Sequence, residues 1–125
     1  MDIVLVKKYL RENLSFSEEK IEKICKYIEL LLIFNKKYNL ISKSTEKEVW
    51  NRHILDSAQI IKYIEFKKDH ILSDFGSGAG LPGVILSIEN NNPNFHVKLN
   101  EKSPVKRTFL ADIQKITEKK KKKNV

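Results

Sequence analysis

The stretch Ile71-Leu72-Ser73-Asp74-Phe75-Gly76-Ser77-Gly78-Ala79-Gly80-Leu81-Pro82-Gly83 constrains this chain most: an apolar run ends on a carboxylate and then loosens into glycines. The chain has four glycines, and every one lies between positions 76 and 83. His70 to Phe75 is short and apolar, as a strand requires, and Pro82 suits the first turn of a helix. The order is strand, acidic residue, glycine turn, helix, so a helix start faces a strand end. Such a turn removes side chains and leaves backbone amides accessible, and a ligand can come close to the main chain.

The spacing separates three glycine codes. A phosphate-binding loop ends in Gly-Lys-Ser/Thr, whereas Gly83 is followed by Val84-Ile85, which excludes it. Gly78-x-Gly80-x-x-Gly83 satisfies the letters of a dinucleotide fingerprint, with Glu101 further on. In that fingerprint, however, the first glycine directly follows apolar strand residues, and here Gly76 and Asp74 intervene. From Asp74 the pattern is Asp-x-Gly-x-Gly-x-Gly. A carboxylate at the strand tip suits a cationic ligand better than a pyrophosphate, and S-adenosylmethionine carries an ammonium and a sulfonium. Methyl-donor binding is the favoured reading, with dinucleotide binding as its competitor.

A second strand supports a ligand fold over a mere tight connection. After a helix from about Leu81 to Asn90 and the turn Asn91-Asn92-Pro93-Asn94, Phe95 to Leu99 alternates apolar and polar residues and runs into Asn100-Glu101. Strand, glycine turn, crossover helix and second strand form one right-handed unit, which sets Glu101 beside the glycine turn. A carboxylate there can accept both ribose hydroxyls of a nucleoside.

The preceding residues read as helices. Ile3 to Glu12 is a short one. A second starts near Ser15 or Ser17, where Ser15-x-x-Glu18 has capping-box spacing, and runs to about Tyr38-Asn39 with Ile21, Ile24, Ile28, Leu31 and Leu32 as its apolar stripe. Thr45-x-x-Glu48 opens a third stretch carrying Val49, Trp50, Ile54, Ile60, Ile61 and Ile64. On it, spacings of three and four place His53 on one face with Asp56 and Ser57, after Arg52. The single cysteine, Cys25, lies on the second helix as a small core residue and permits no internal disulfide, which fits a reducing cytoplasm. The start has no secretory leader, no run approaches a membrane span, and His70 and His96 match no zinc spacing.

Four segments in order carry a family resemblance: Phe34-Asn35-Lys36-Lys37-Tyr38-Asn39-Leu40, Arg52-His53-Ile54-Leu55-Asp56-Ser57, Asp74 through Gly83, and Glu101 followed by Lys106-Arg107-x-Phe109-Leu110. Over roughly residues 16 to 115 the chain resembles the bacterial small-subunit ribosomal RNA methyltransferase G family, also called glucose-inhibited division protein B. Ile41 is a departure, since the family usually has threonine there. The resemblance implies an α/β fold, with N-terminal helices followed by the first part of a class I, Rossmann-like, S-adenosylmethionine-dependent methyltransferase sheet. It implies methyl transfer from S-adenosylmethionine to guanine-N7 of 16S rRNA. Gly76, Gly78, Gly80 and Leu81 would line the cofactor turn, Asp74 would approach the methionine end, and Glu101 would take the ribose. Asn39, Arg52, His53, Asp56, Ser57, Lys106 and Arg107 become candidate substrate-side groups, and none of these residues acts as a chemical catalyst.

The domain reading is a helical region over 1–66, the start of the methyltransferase domain over 67–117 and a lysine-rich tail over 118–125. The net charge is +8, and five of those charges are Lys119 to Lys123, so the body is nearly balanced. A lysine run can bind any polyanion without sequence information. Two strands fall short of the seven-stranded sheet that the resemblance implies. The expectation is a C-terminally truncated reading frame, with a frameshift in an adenine tract at the lysine run, an apolar sheet face left uncovered, and small-subunit rRNA as partner of a cytoplasmic monomer. An inactive remnant or RNA-binding piece of the enzyme is the alternative.

Overall fold

A computed structural model describes residues 2–64, 71–75, 79–92 and 94–117. Helix α1 (Ile3–Asn13) opens under Asp2, whose Oδ1 accepts the Leu5 amide at 2.9 Å, a cap worth about 1 kcal/mol. The chain then reverses through Ser15, at φ 58°, while the Phe16 amide donates to the Leu10 carbonyl at 2.9 Å. Ser15 is thereby committed to the turn, and the capping-box spacing from Ser15 to Glu18 goes unused. Ser17 is the cap of α2 (Glu18–Tyr38), its Oγ accepting the Lys20 amide at 3.2 Å. Glu18 pairs instead with Arg11 across the turn.

Helix α2 is the spine of the molecule. Ile21, Ile24, Tyr27, Ile28, Leu31 and Asn35 face inward along it at helical spacing. It stops at Asn39, whose φ of 51° is left-handed and whose amide returns to the Asn35 carbonyl at 3.3 Å; asparagine tolerates that conformation better than most residues. Asn35 is fully buried and fully used. Its Oδ1 accepts the Ile41 amide at 2.7 Å and its Nδ2 donates to Glu46 at 2.5 Å, tying the end of α2 to the segment that follows.

The third helical stretch is composite. A 3₁₀ turn (Lys43–Glu48) leads into a π-helical turn (Trp50–Leu55), then α3 (Asp56–Gln59) and a second 3₁₀ turn (Ile60–Tyr63). It begins after Ser42 and not at Thr45, whose hydroxyl bonds back to the Ser42 carbonyl at 2.9 Å. Val49, Trp50 and Ile54 are buried as the apolar stripe predicts, whereas Ile60 is exposed. The wide π turn changes the phase of the helix, so a 3.6-residue period read from Val49 does not carry through to Ile60.

Strands β1 (Ile71–Phe75) and β2 (His96–Asn100) pair in parallel, with Ile71 opposite His96 and Phe75 opposite Asn100. Between them lies the crossover helix α4 (Gly83–Glu89), which buries five of its seven residues, as a helix apolar on nearly every side must. It is wedged between β2 on one side and α2, α3 and α5 (Pro104–Thr117) on the others. The spine fastens the end of α4 and the turn that leads into it. Lys20 Nζ meets the Glu89 carbonyl at 2.9 Å and its carboxylate at 3.3 Å, and the Tyr27 hydroxyl donates to the Ala79 carbonyl at 2.6 Å. Helix α5 closes the core with Phe109, Leu110 and Ile113; the Phe109 ring lies 5.2 Å from that of Phe34 and 6.1 Å from that of Tyr27.

The helices predicted over 3–12, 15–39 and 81–90 and the parallel strand pair are thus present, with ends shifted by a few residues. None of the strand side chains described is buried. Leu72, Asp74, Val97 and Leu99 share the face that α4 approaches and are half-buried, while Ile71, Ser73, His96 and Lys98 on the other face are exposed. That face is more polar than the sequence reading anticipates, Ile71 being its one exposed aliphatic among the described residues. No helix among the described residues is long and apolar enough to cross a membrane.

Candidate functional site

At the ends of the two strands, backbone and carboxylates converge. Asp74 stands opposite Leu99, one pair short of the strand tips. Its Oδ2 accepts the Gly83 amide at 3.1 Å, so the acid at the end of β1 satisfies the first residue of α4. The carboxyl is half-buried, and burial raises its pKa above the ordinary carboxylate value, opposed by the Gly83 hydrogen bond.

Two glycines here are required for different reasons. Gly80 has a φ of +90°, and a Cβ on it would stand 2.5 Å from Val84 Cγ2 and 2.8 Å from Leu110 Cδ2. At Gly83 the backbone dihedral is ordinary and the limit is space: a Cβ would collide with Leu99 Cδ2 and come 2.8 Å from Asp74 Oδ2. This glycine lets α4 lie directly on the sheet. Gly80 also closes the turn through its carbonyl, which accepts the Val84 amide at 2.6 Å. Leu81 beside it is half-buried. Gly76 and Gly78 lie outside the described residues.

Glu101 repeats the arrangement of Asp74 on the second strand. It follows the last residue of β2, is half-buried, and its Oε2 accepts the Ser103 amide at 2.9 Å. Ser103 in turn opens α5, its Oγ reaching the Lys106 amide at 3.4 Å and its carbonyl accepting the Arg107 amide at 2.9 Å. Lys106 and Arg107 therefore sit in the first turn of α5, which contains no acidic residue. Cations there oppose the helix dipole.

The remaining sequence candidates are spread apart. Asn39 is the left-handed cap of α2. Arg52 is exposed and pairs with Glu48 at 2.8 Å. His53 is half-buried, its Nε2 3.1 Å from Thr45 Oγ1, while Asp56 is exposed and Ser57 buried. The π turn widens the spiral at His53 just before α3, and the shared face expected of His53, Asp56 and Ser57 divides by burial. The structure brings Asp74, Gly80, Leu81 and Gly83 together at one strand end, with Glu101 at the tip of the neighbouring strand.

Sequence reading overlooks Tyr27, Asn35 and Lys20. Tyr27 looks like one more member of an apolar stripe, although a buried tyrosine must find a partner for its hydroxyl, and that requirement is the available signal. Burial pushes its phenol far above the ordinary tyrosine value, so the hydroxyl remains a neutral donor.

Comparison with known proteins decides the family. The model of the family described as rRNA small subunit methyltransferase G matches residues 20–125. The chain belongs to that family. The ribosomal RNA small subunit methyltransferase G of Orientia tsutsugamushi (strain Ikeda) is 39% identical over 112 residues, covering 90% of this chain and 54% of that protein. That of Magnetococcus marinus is 41% identical over 92 residues, covering 74% and 40%. That of Rickettsia rickettsii (strain Sheila Smith) is 51% identical over 70 residues, covering 56% and 36%. The chain spans about half the length of the methyltransferase G relatives it matches.

Proposed function

We propose that this chain provides the cofactor-binding half of a methyltransferase G site, which takes S-adenosylmethionine and serves methylation of guanine-N7 in small-subunit rRNA, on the first part of a Rossmann-like sheet. The observation that carries the reading is the paired arrangement at the strand ends. Two parallel strands finish together, each carries a half-buried carboxylate at its end, Asp74 within β1 and Glu101 just after β2, and a glycine turn follows the first. With sheet spacings of about 3.3 Å per residue and 4.8 Å between strands, Asp74 and Glu101 stand on the order of 8 Å apart, a span suited to a nucleoside with a charged substituent.

The residues present fit this cofactor. Asp74 already occupies the Gly83 amide at the start of α4, and a second anion such as a pyrophosphate would meet that carboxylate; a cation would be attracted to it. This favours the methyl donor over a dinucleotide. A carboxylate accepts up to about four hydrogen bonds, so the Ser103 amide and ribose hydroxyls are compatible at Glu101. Gly76, Gly78, Gly80 and Leu81 are assigned to the cofactor turn. When bound, S-adenosylmethionine supplies an electrophilic methyl on sulfur. Guanine-N7 offers a lone pair and no proton, so the protein needs no general base and contributes orientation and exclusion of water. Lys106 and Arg107, and with them Asn39, Arg52, His53, Asp56 and Ser57, are assigned to the substrate side, the first two as contacts for RNA phosphate. Within this reading, residues 1–66 form the helical region, 67–117 the methyltransferase unit and 118–125 a basic tail.

A second reading, an inactive or merely RNA-binding piece of the enzyme, draws on the exposure of the strand residues. Calorimetric titration of the 125-residue chain with S-adenosylmethionine, with NADH as control, separates these readings. Saturable binding of the methyl donor alone supports the proposal, and a folded chain that binds neither refutes it. Glu101→Ala should weaken binding; unchanged affinity in a folded variant removes the ribose role.

Charge at Asp74 gives a pH test. Its folded pKa is raised, so the folded state keeps the proton to higher pH than the unfolded chain, and stability falls as pH rises above the ordinary carboxylate range. A cationic ligand favours the ionised form, so affinity should climb through the same window. Asp74→Asn keeps an acceptor for the Gly83 amide and should abolish both slopes. Parallel pH profiles for the two proteins would contradict the assignment.

A further inference from the structure

We infer that Tyr27 is a positioning residue for the cofactor turn, acting through the Ala79 carbonyl; the inference rests on the reading that this turn takes S-adenosylmethionine. The hydroxyl lies 2.6 Å from that carbonyl and both residues are buried. A trans peptide is planar, with its C=O and N–H pointing in opposite directions. Pinning the Ala79 carbonyl toward α2 therefore directs the Gly80 amide away from α2 and the helical layer. Gly80 is the residue with positive φ, and its own carbonyl receives Val84 at the start of α4. One hydrogen bond from the spine thus sets the peptide plane on which the shape of the turn depends.

The phenol is itself held firmly. Tyr27 is wholly buried and its ring packs against Phe109 at a centroid distance of 6.1 Å, while Phe109 rests on Phe34 at 5.2 Å. The rings hold the phenol in place. Lys20, two turns earlier on the same helix, fixes the far end of α4. Neither residue is among those assigned to the ligand, yet between them they determine where α4 and its leading turn lie against the strand tips.

The test compares Tyr27→Phe with Ile24→Val in the 125-residue chain. Tyr27→Phe retains the ring and removes only the donor; Ile24→Val trims the same helix elsewhere and lowers stability by a similar amount. Tyr27→Phe should bind S-adenosylmethionine about tenfold more weakly, the size of one net hydrogen bond, with faster amide exchange confined to Gly80 and Val84. Ile24→Val should bind within about twofold of the unaltered chain. Equal affinity losses in the two variants would reduce Tyr27 to a stability residue and overturn the inference, as would unchanged affinity in Tyr27→Phe. If Tyr27→Phe does not fold, Phe109→Leu, which keeps the hydroxyl but weakens its lateral support, replaces it: a loss beyond the Ile24→Val control supports the inference and no such loss overturns it. No binding by the unaltered chain overturns the cofactor reading and this inference together, an outcome distinct from the others.

Discussion

The helical layer and the strand pair of this molecule are held in different ways. In the helices, Tyr27, Ile24, Leu31, Ile54, Phe109 and Ile113 are all at most 1% exposed and form one continuous core. In the strands no described side chain is buried, and Ile71 is 65% exposed. The candidate site stands at the junction, on strands that contribute little burial and a helix, α4, that is almost wholly enclosed. The lesson is that the site owes its geometry to the helical layer, although the residues that advertise it belong to the strands.

If so, damage should scale with how much enclosed packing a change disturbs. The largest effect is expected for Phe109→Ala, which empties the ring cluster joining α2 to α5 and should cost about 3–5 kcal/mol in denaturant unfolding; a loss below about 1 kcal/mol would break the comparison. Gly83→Ala comes next, since its methyl drives α4 off Leu99 and Asp74 and should cost about 1–3 kcal/mol together with cofactor affinity. Ser17→Ala should cost about 1 kcal/mol by removing the cap of the spine, while Ser15→Ala leaves that cap intact and sharpens the assignment. The smallest effect belongs to His96→Ala on the exposed strand face, within about 0.5 kcal/mol. A cost there as large as that of Ser17→Ala would mean the sheet carries more of the fold than its exposure suggests.

Legibility in the sequence follows the same division. Local patterning suffices for α1 and α2, and the run from Ile71 through Gly83 announces strand, turn and helix in order, so the candidate cofactor turn is visible in the sequence alone. What periodicity cannot report is a contact between distant positions. Tyr27 and Ala79 are far apart in the chain, and nothing near either predicts their hydrogen bond. Asn35 looks like a polar intrusion into an apolar stripe until Ile41 and Glu46 fold back onto it. The π turn at Trp50–Leu55 misleads for a different reason, because helical spacing assumes a constant number of residues per turn and the backbone changes that number midway.

The fastening of α4 and its leading turn also fixes a spacing. Lys20 and Tyr27 are seven positions apart, about 10.5 Å along α2, and they hold Glu89 at the end of α4 and Ala79 in the turn before it. The spine behaves as a caliper closed on the crossover. A single residue inserted between the two jaws would rotate one of them by about 100°, so α2 tolerates substitution on its outer face far better than any change of length between Lys20 and Tyr27. An added or deleted residue there should act as a digital fault, releasing the end of α4 or the turn before it completely, whereas shortening the helix beyond Tyr27 leaves the gauge unchanged.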